Sequence, residues 1–248
     1  MPQFSDDLFL GSAQTYMGVN TNSALGDPSS MDLGVGPVGR IYVWDTVPAA
    51  KVANNLVTST TPAASGSLTL TAGTSVTSVT LNSGSTAYQL DVPRAVAVAQ
   101  VAAGTSRNFT VSGFDYYGQA MSEVIASTAG STVNGKKAFF QITGITVSGA
   151  TTTAITVGTA DIIGCPVRFN DKGYIARCGW NNTLAEDAAT VVVADATTAT
   201  TTTGDVRGTV VPSSACDGAK RLVVAVLLTA IQCGPNATRA GALGVTQA

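Results

Sequence analysis

The chain contains no histidine and only two glutamates, Glu123 and Glu186. The first absence removes Ser-His-Asp triads, Cys-His dyads and imidazole metal ligands together. The remaining carboxylates are scattered aspartates. Asp27, Asp115, Asp171, Asp205 and Asp217 stand in apparent turns, where an aspartate usually hydrogen-bonds its own backbone. No catalytic residue, metal ligand or cofactor site is expected, and the chain reads as non-enzymatic.

Charge is also scarce, at 11% of residues against a usual ~25%. Basic residues form no patch beyond Lys136-Lys137 and Lys220-Arg221, and the net charge is −2. Direct binding of nucleic acid is therefore not expected. No apolar run is long enough for a transmembrane helix; residues 221–231 (RLVVAVLLTAI) read as a buried strand, and no membrane partner is expected. The first residues lack a basic region followed by an apolar one, so no secretory signal is read and synthesis in a host cytoplasm is expected. Cys165, Cys178, Cys216 and Cys233 include no C-x-x-C pair. They are too few for a disulfide framework and too widely spaced to suggest zinc. Free, buried thiols are expected, with a bridge formed after release from the cell as the alternative.

What is present points to a folded β protein. The apolar fraction is 45% and mean hydropathy is +0.27, which opposes disorder. Threonine is abundant, which favours strand over helix. So few charges imply either a Thr/Ser-rich surface or a surface that lies against neighbours, since interface cores are depleted of charge.

Three regions are distinguished. Residues 1–40 are rich in turn chemistry, and their apolar residues follow neither helical nor strand periodicity. They read as an extended irregular arm with Phe4, Leu8, Phe9, Leu10, Tyr16 and Met17 as anchors for a partner; an arm laid over its own core is the alternative. Gly34, Gly36 and Gly39 match G-x-G-x-x-G but lead into a strand, so they read as a joint and not as a nucleotide site. Residues 41–169 read as a β-sandwich body. Strands are expected at 41–44, 67–71, 75–82, 87–92, 95–101, 108–112, 121–126, 137–143, 145–148, 154–157 and 162–169. Gly144 marks a bulge, and 113–118 forms a hairpin loop carrying Tyr116 and Tyr117. These tyrosines are either partner contacts or folded back onto the body. Residues 170–248 form a second β-rich part, packed on the body or completing it. Strands are expected at 174–178, 190–194, 206–211 and 221–231, the last two pairing across a turn at Asp217-Gly218. One helical turn is conceivable at 184–189, and the threonine tract 197–203 reads as an edge or a loop. The fold class is all-β, sandwich or jelly-roll-like.

Several phrases together resemble structural proteins of tailed-bacteriophage heads. They are 91–94 (DVPR), 108–125 (NFTVSGFDYYGQAMSEVI), 135–147 (GKKAFFQITGITV), 158–169 (GTADIIGCPVRF) and 203–221 (TGDVRGTVVPSSACDGAKR). The resemblance implies a virion protein, above all a capsid decoration or cement protein. Such a protein would sit as a dimer or trimer on the capsid exterior and bridge subunits of the major capsid protein. A tail-tube, tail-fibre or head–tail connector component is the alternative, and a carbohydrate-binding or adhesin-like sandwich the second. The last would need a row of exposed aromatics, and the only tryptophans are Trp44 and Trp180.

Overall fold

The computed structural model describes residues 5–9, 38–169, 171–181, 190–229 and 245–248. It is nearly all β, with large antiparallel sheets. The strands are β1 (Ser5–Phe9), β2 (Val38–Thr46), β3 (Val57–Thr60), β4 (Gly66–Ser67), β5 (Val76–Thr80), β6 (Thr86–Gln100), β7 (Asn108–Phe114) and β8 (Ala120–Ala126). They continue as β9 (Thr132–Asn134), β10 (Phe139–Val147), β11 (Ile155–Gly164), β12 (Ile175–Trp180), β13 (Thr190–Val192), β14 (Thr209–Val211) and β15 (Leu222–Thr229). A single 3-10 turn, Lys172–Tyr174, is the helical element among the described residues. The sandwich-like all-β expectation holds. The turn considered at 184–189 lies outside the described residues.

Two sheets enclose two main cores. The larger runs β13-β14-β11-β6-β10-β7-β8, with β3, β4, β5 and β9 paired along it; the smaller runs β1-β2-β15-β12. The first core gathers Leu90, Val96 and Val98 of β6 with Phe109, Val111, Met121, Ile125, Phe139, Ile142, Ile145, Ile155 and Val157. The second gathers Tyr42, Trp44, Cys178, Leu222, Val224 and Val226 of the small sheet with Val92, Ile163, Val210 and Phe169. β6 and β11 therefore contribute to both cores.

The sequence shows a break at Pro93-Arg94, yet β6 runs through it. Proline offers no N–H to a ladder and is tolerated where the ladder is interrupted. Here the β6–β10 register shifts between Arg94 and Gln89, and the β6–β11 register shifts between Thr159 and Ile163. Arg94 fills that irregularity with a fully buried side chain. Its Nε donates to the Ala160 carbonyl at 2.9 Å and Nη1 to the Ala49 carbonyl at 3.0 Å. Nη1 also meets Asp91 at 3.1 Å, and Nη2 meets Asp161 at 2.8 Å. The guanidinium thus saturates the carbonyl that the bulge frees, and two carboxylates balance its charge.

Several local expectations are met. Strand β10 runs through the expected bulge, with a register shift between Ile142 and Gly144, and β7 and β8 form the expected hairpin. One pairing is corrected. Strands β14 and β15 do not form a hairpin: β14 pairs with β11 and β13, while β15 pairs with β2 and β12 in the other sheet. Asp217-Gly218 does turn, with φ +77° at Gly218, but its bonds serve a crossing between sheets. Gly218 N–H donates to the Pro48 carbonyl, and Asp217 accepts from the Ala219 and Lys220 N–H groups. At 67–71 the strand is limited to Gly66–Ser67. The threonine tract is a loop with an internal turn, in which Thr200 N–H donates to the Thr203 hydroxyl.

Candidate interaction surface

The β7–β8 hairpin ends in a turn closed by its own aspartate. Asp115 Oδ1 accepts from the N–H groups of Tyr117 at 2.8 Å and Gln119 at 2.9 Å. Gly118 supplies the left-handed residue the turn needs, with φ +77°. Asp115 Oδ2 then pairs with Arg207 Nη1 at 2.7 Å, both side chains almost fully buried. The Arg207 guanidinium lies over the Tyr117 ring, 4.9 Å from its centre. The Tyr117 hydroxyl donates to the Pro166 carbonyl at 2.9 Å. Tyr116 packs edge-on against both Tyr117 and Phe140. Burial raises the Tyr117 pKa, while Arg207 pulls the other way. Both tyrosines are thus held on the body, and Tyr117 keeps 43% of its surface exposed.

A second set of charges ties neighbouring loops together. Glu123 projects inward from β8 and accepts from the N–H groups of Lys136 at 2.5 Å and Lys137 at 3.3 Å. Lys137 is fully buried and returns a bond from Nζ to the Ser122 carbonyl at 3.0 Å. Asp205 accepts from Ala138 N–H at 3.0 Å, Arg207 N–H at 2.8 Å and Gly208 N–H at 3.0 Å. Burial raises the carboxyl pKa values of Glu123 and Asp205 against the opposing pull of these bonds, and it lowers that of Lys137. In the sequence Asp205 reads only as a turn aspartate and Lys136-Lys137 only as a short basic pair, but for Glu123 one signal of burial is legible. In AMSEVIA the period of two places Glu123 on the same face as Met121 and Ile125, and all three are buried.

Between these loops opens a groove of about 640 Å³. Ile162, Val192, Val193 and Val211 line it, with Lys136 and Asp205 on its walls. Val192 is 50% exposed on the edge strand β13, and Val101 is 68% exposed elsewhere. A hollow of about 470 Å³ at residues 57–69 is lined largely by Thr and Ser.

Phe4, Leu10, Tyr16 and Met17 lie outside the described residues, as do Gly34 and Gly36. Leu8 and Phe9 fall in β1, which pairs antiparallel with β2 so that Phe9 faces Val38. Gly39 is a strand residue between Leu8 and Thr229. Phe9 and Val38, the described residues on either side of 10–37, are thus one paired position of the small sheet. Cys165, Cys178 and Cys216 are buried in the second core, Cys165 and Cys216 as free thiols, and Cys233 lies outside the described residues. Burial pushes the Cys165 and Cys216 thiols up to about 12. No group of three or more metal-ligating side chains occurs among the described residues.

Comparison with known protein families, with curated proteins and with solved structures returns no match to this chain.

Proposed function

We propose that this chain is a non-enzymatic structural protein of a virus particle. It decorates the exterior of a tailed-phage head and bridges subunits of the major capsid protein. One observation carries the reading: charge is scarce in this chain, and among the described residues part of it is turned inward. The chain has 13 basic and 15 acidic residues, and six of them, Arg94, Asp115, Glu123, Lys137, Asp205 and Arg207, are buried. An exterior so poor in charge suits contact with other protein surfaces better than solitary life in water. The sequence phrases that resemble phage head proteins point the same way. So do the valines that line the groove at β13 and the partly open Tyr117, since tyrosine buries contact area at low entropic cost.

The mechanism is multivalent clamping. Each subunit makes modest contacts, and a dimer or trimer that engages several shell subunits gains avidity of about 10²–10⁴ over one contact. The anchors are Phe4, Leu8, Phe9, Leu10, Tyr16 and Met17, with Tyr116 and Tyr117 as support.

Co-sedimentation with empty heads of the same virus tests this reading. The intact chain is expected to pellet with the heads, and a chain that stays in the supernatant overturns the proposal. Removing residues 1–20 would also remove β1, an edge strand of the small sheet. The informative variant therefore replaces only residues 10–37 with a short Gly-Ser link. It is expected to keep its cooperative unfolding and lose shell binding, and retained binding removes the anchor role of Leu10, Tyr16 and Met17.

A further inference from the structure

Segment 245–248 rejoins the body after the 15 residues 230–244, which separate it from the end of β15. Its seat is small and strand-like. Val245 is buried with Ala199 and Val206 in a core of their own. Thr246 bridges Thr198 in parallel. Its N–H donates to the Thr197 carbonyl at 2.7 Å, and its carbonyl accepts from Ala199 N–H at 2.8 Å. The Gln247 amide donates to Asp115 Oδ2 at 3.2 Å, and the Ser122 hydroxyl donates to the Ala248 carbonyl at 3.3 Å. The loop that forms one wall is itself hung on β8, through Val124 N–H to the Thr201 carbonyl at 2.8 Å. The receiving groups thus come from two regions, 115–124, which its own hairpin bonds close, and 197–206, whose Ala199 and Val206 take Val245 as their core partner. Main-chain bonds that supply affinity and one side-chain pocket that supplies selectivity are the features of strand addition.

We infer that this seat is a strand receptor for residues 245–248 of a second copy of the chain, so that copies are joined by exchanged segments. The seat holds one buried large side chain and four hydrogen bonds, so vacating it costs little. The 15 intervening residues span up to about 50 Å when extended. A compact chain of this length has a radius of gyration of only about 18 Å, so the segment reaches a neighbour's seat as well as its own. The same contacts form in either case, which makes exchange a low-cost route to an oligomer. This inference supplies the joint for the dimer or trimer of the preceding section but does not depend on a shell.

The experiment therefore uses the isolated protein. Thr198→Cys and Thr246→Cys are introduced with Cys233→Ser, leaving only the three buried thiols besides the new pair. Oxidation is expected to give covalent multimers on a non-reducing gel; internally bridged monomer alone overturns the inference. A second measurement covers failure of the engineered bridge. Light scattering on the otherwise intact chain is expected to give a multimer, which falls to monomer when residues 245–248 are removed. The shortened chain is expected to bind a labelled GALGVTQA peptide. A mass that does not change on removal of these four residues overturns the inference, as does an intact chain that is monomeric. Shell binding by a monomeric chain would sink this inference and leave the decoration reading standing. Multimers that ignore shells would do the reverse.

Discussion

Arg94 shows how one residue holds a junction. Its side chain is fully buried, yet the guanidinium meets two backbone carbonyls and two carboxylates. Removing one partner of such a set strands the others in a poorly solvated place. Arg94→Ala is expected to cost about 3–5 kcal/mol, read as a lower midpoint in urea denaturation. A change under about 1 kcal/mol would mean that Asp91 and Asp161 find water instead. Gly208 makes a second residue-scale case. Its φ is +99°, and an added Cβ would stand 2.6 Å from the Phe169 ring and 2.9 Å from the Val192 carbonyl. Gly208→Ala is expected to lose about 1–3 kcal/mol by the same measurement. The thiols offer a simpler check. Buried Cys165, Cys178 and Cys216 should resist a thiol reagent in the folded protein and react once denaturant is added. Fast labelling of the Cys233→Ser variant in buffer would contradict that burial.

At the scale of elements, the loops beside β8 have a sign to their pH response. Burial raises the Glu123 pKa above its ordinary 4.5 and that of Asp205 above 3.8. A carboxyl raised in the folded state binds its proton more tightly there than in the unfolded chain. Its contribution to stability is fully present below the ordinary value and is lost as pH rises through the folded value. Thermal midpoints are therefore expected to fall as pH rises from about 4.5, and Glu123→Gln should flatten part of that slope. A slope unchanged by the substitution would assign the effect to Asp205. Local chemistry made most elements legible. The period-two runs at β7 and β8 and the bulge at Gly144 could all be read from residue types alone. Whether a turn returns the chain to the same sheet is not a local property. Asp217-Gly218 has hairpin chemistry, but partners on β2, β11 and β12 decide where β14 and β15 go. The break that the sequence suggests inside β6, and the one between 157 and 162 that β11 (Ile155–Gly164) runs through, have a related reason. A proline or glycine in a strand signals an interrupted ladder, and only the partners that Arg94, next to Pro93, finds on Ala49, Ala160 and Asp161 show that the strand continues.

At the scale of the molecule, the low charge visible in the composition acquires an address. Four of the six buried charges found among the described residues, Glu123, Lys137, Asp205 and Arg207, lie where β8, residues 135–138 and residues 204–208 meet, and this could not be read from counts. The buried ion pair Asp115–Arg207 also connects that region to the seat of Gln247. Occupancy of the seat and order in the hairpin tip are therefore expected to rise together. Tyr117 fluorescence or ring NMR signals should shift when residues 245–248 are removed, and unchanged signals would show the two to be independent. The long strands β6 and β11 have a mechanical meaning as well. Each contributes side chains to both main cores, so the cores cannot separate like beads on a string. A pull that enters through one core passes to the other along hydrogen-bond ladders loaded in shear, where many bonds must yield at once. A molecule joined in this way resists stretching along β6 and gives way at its edges first.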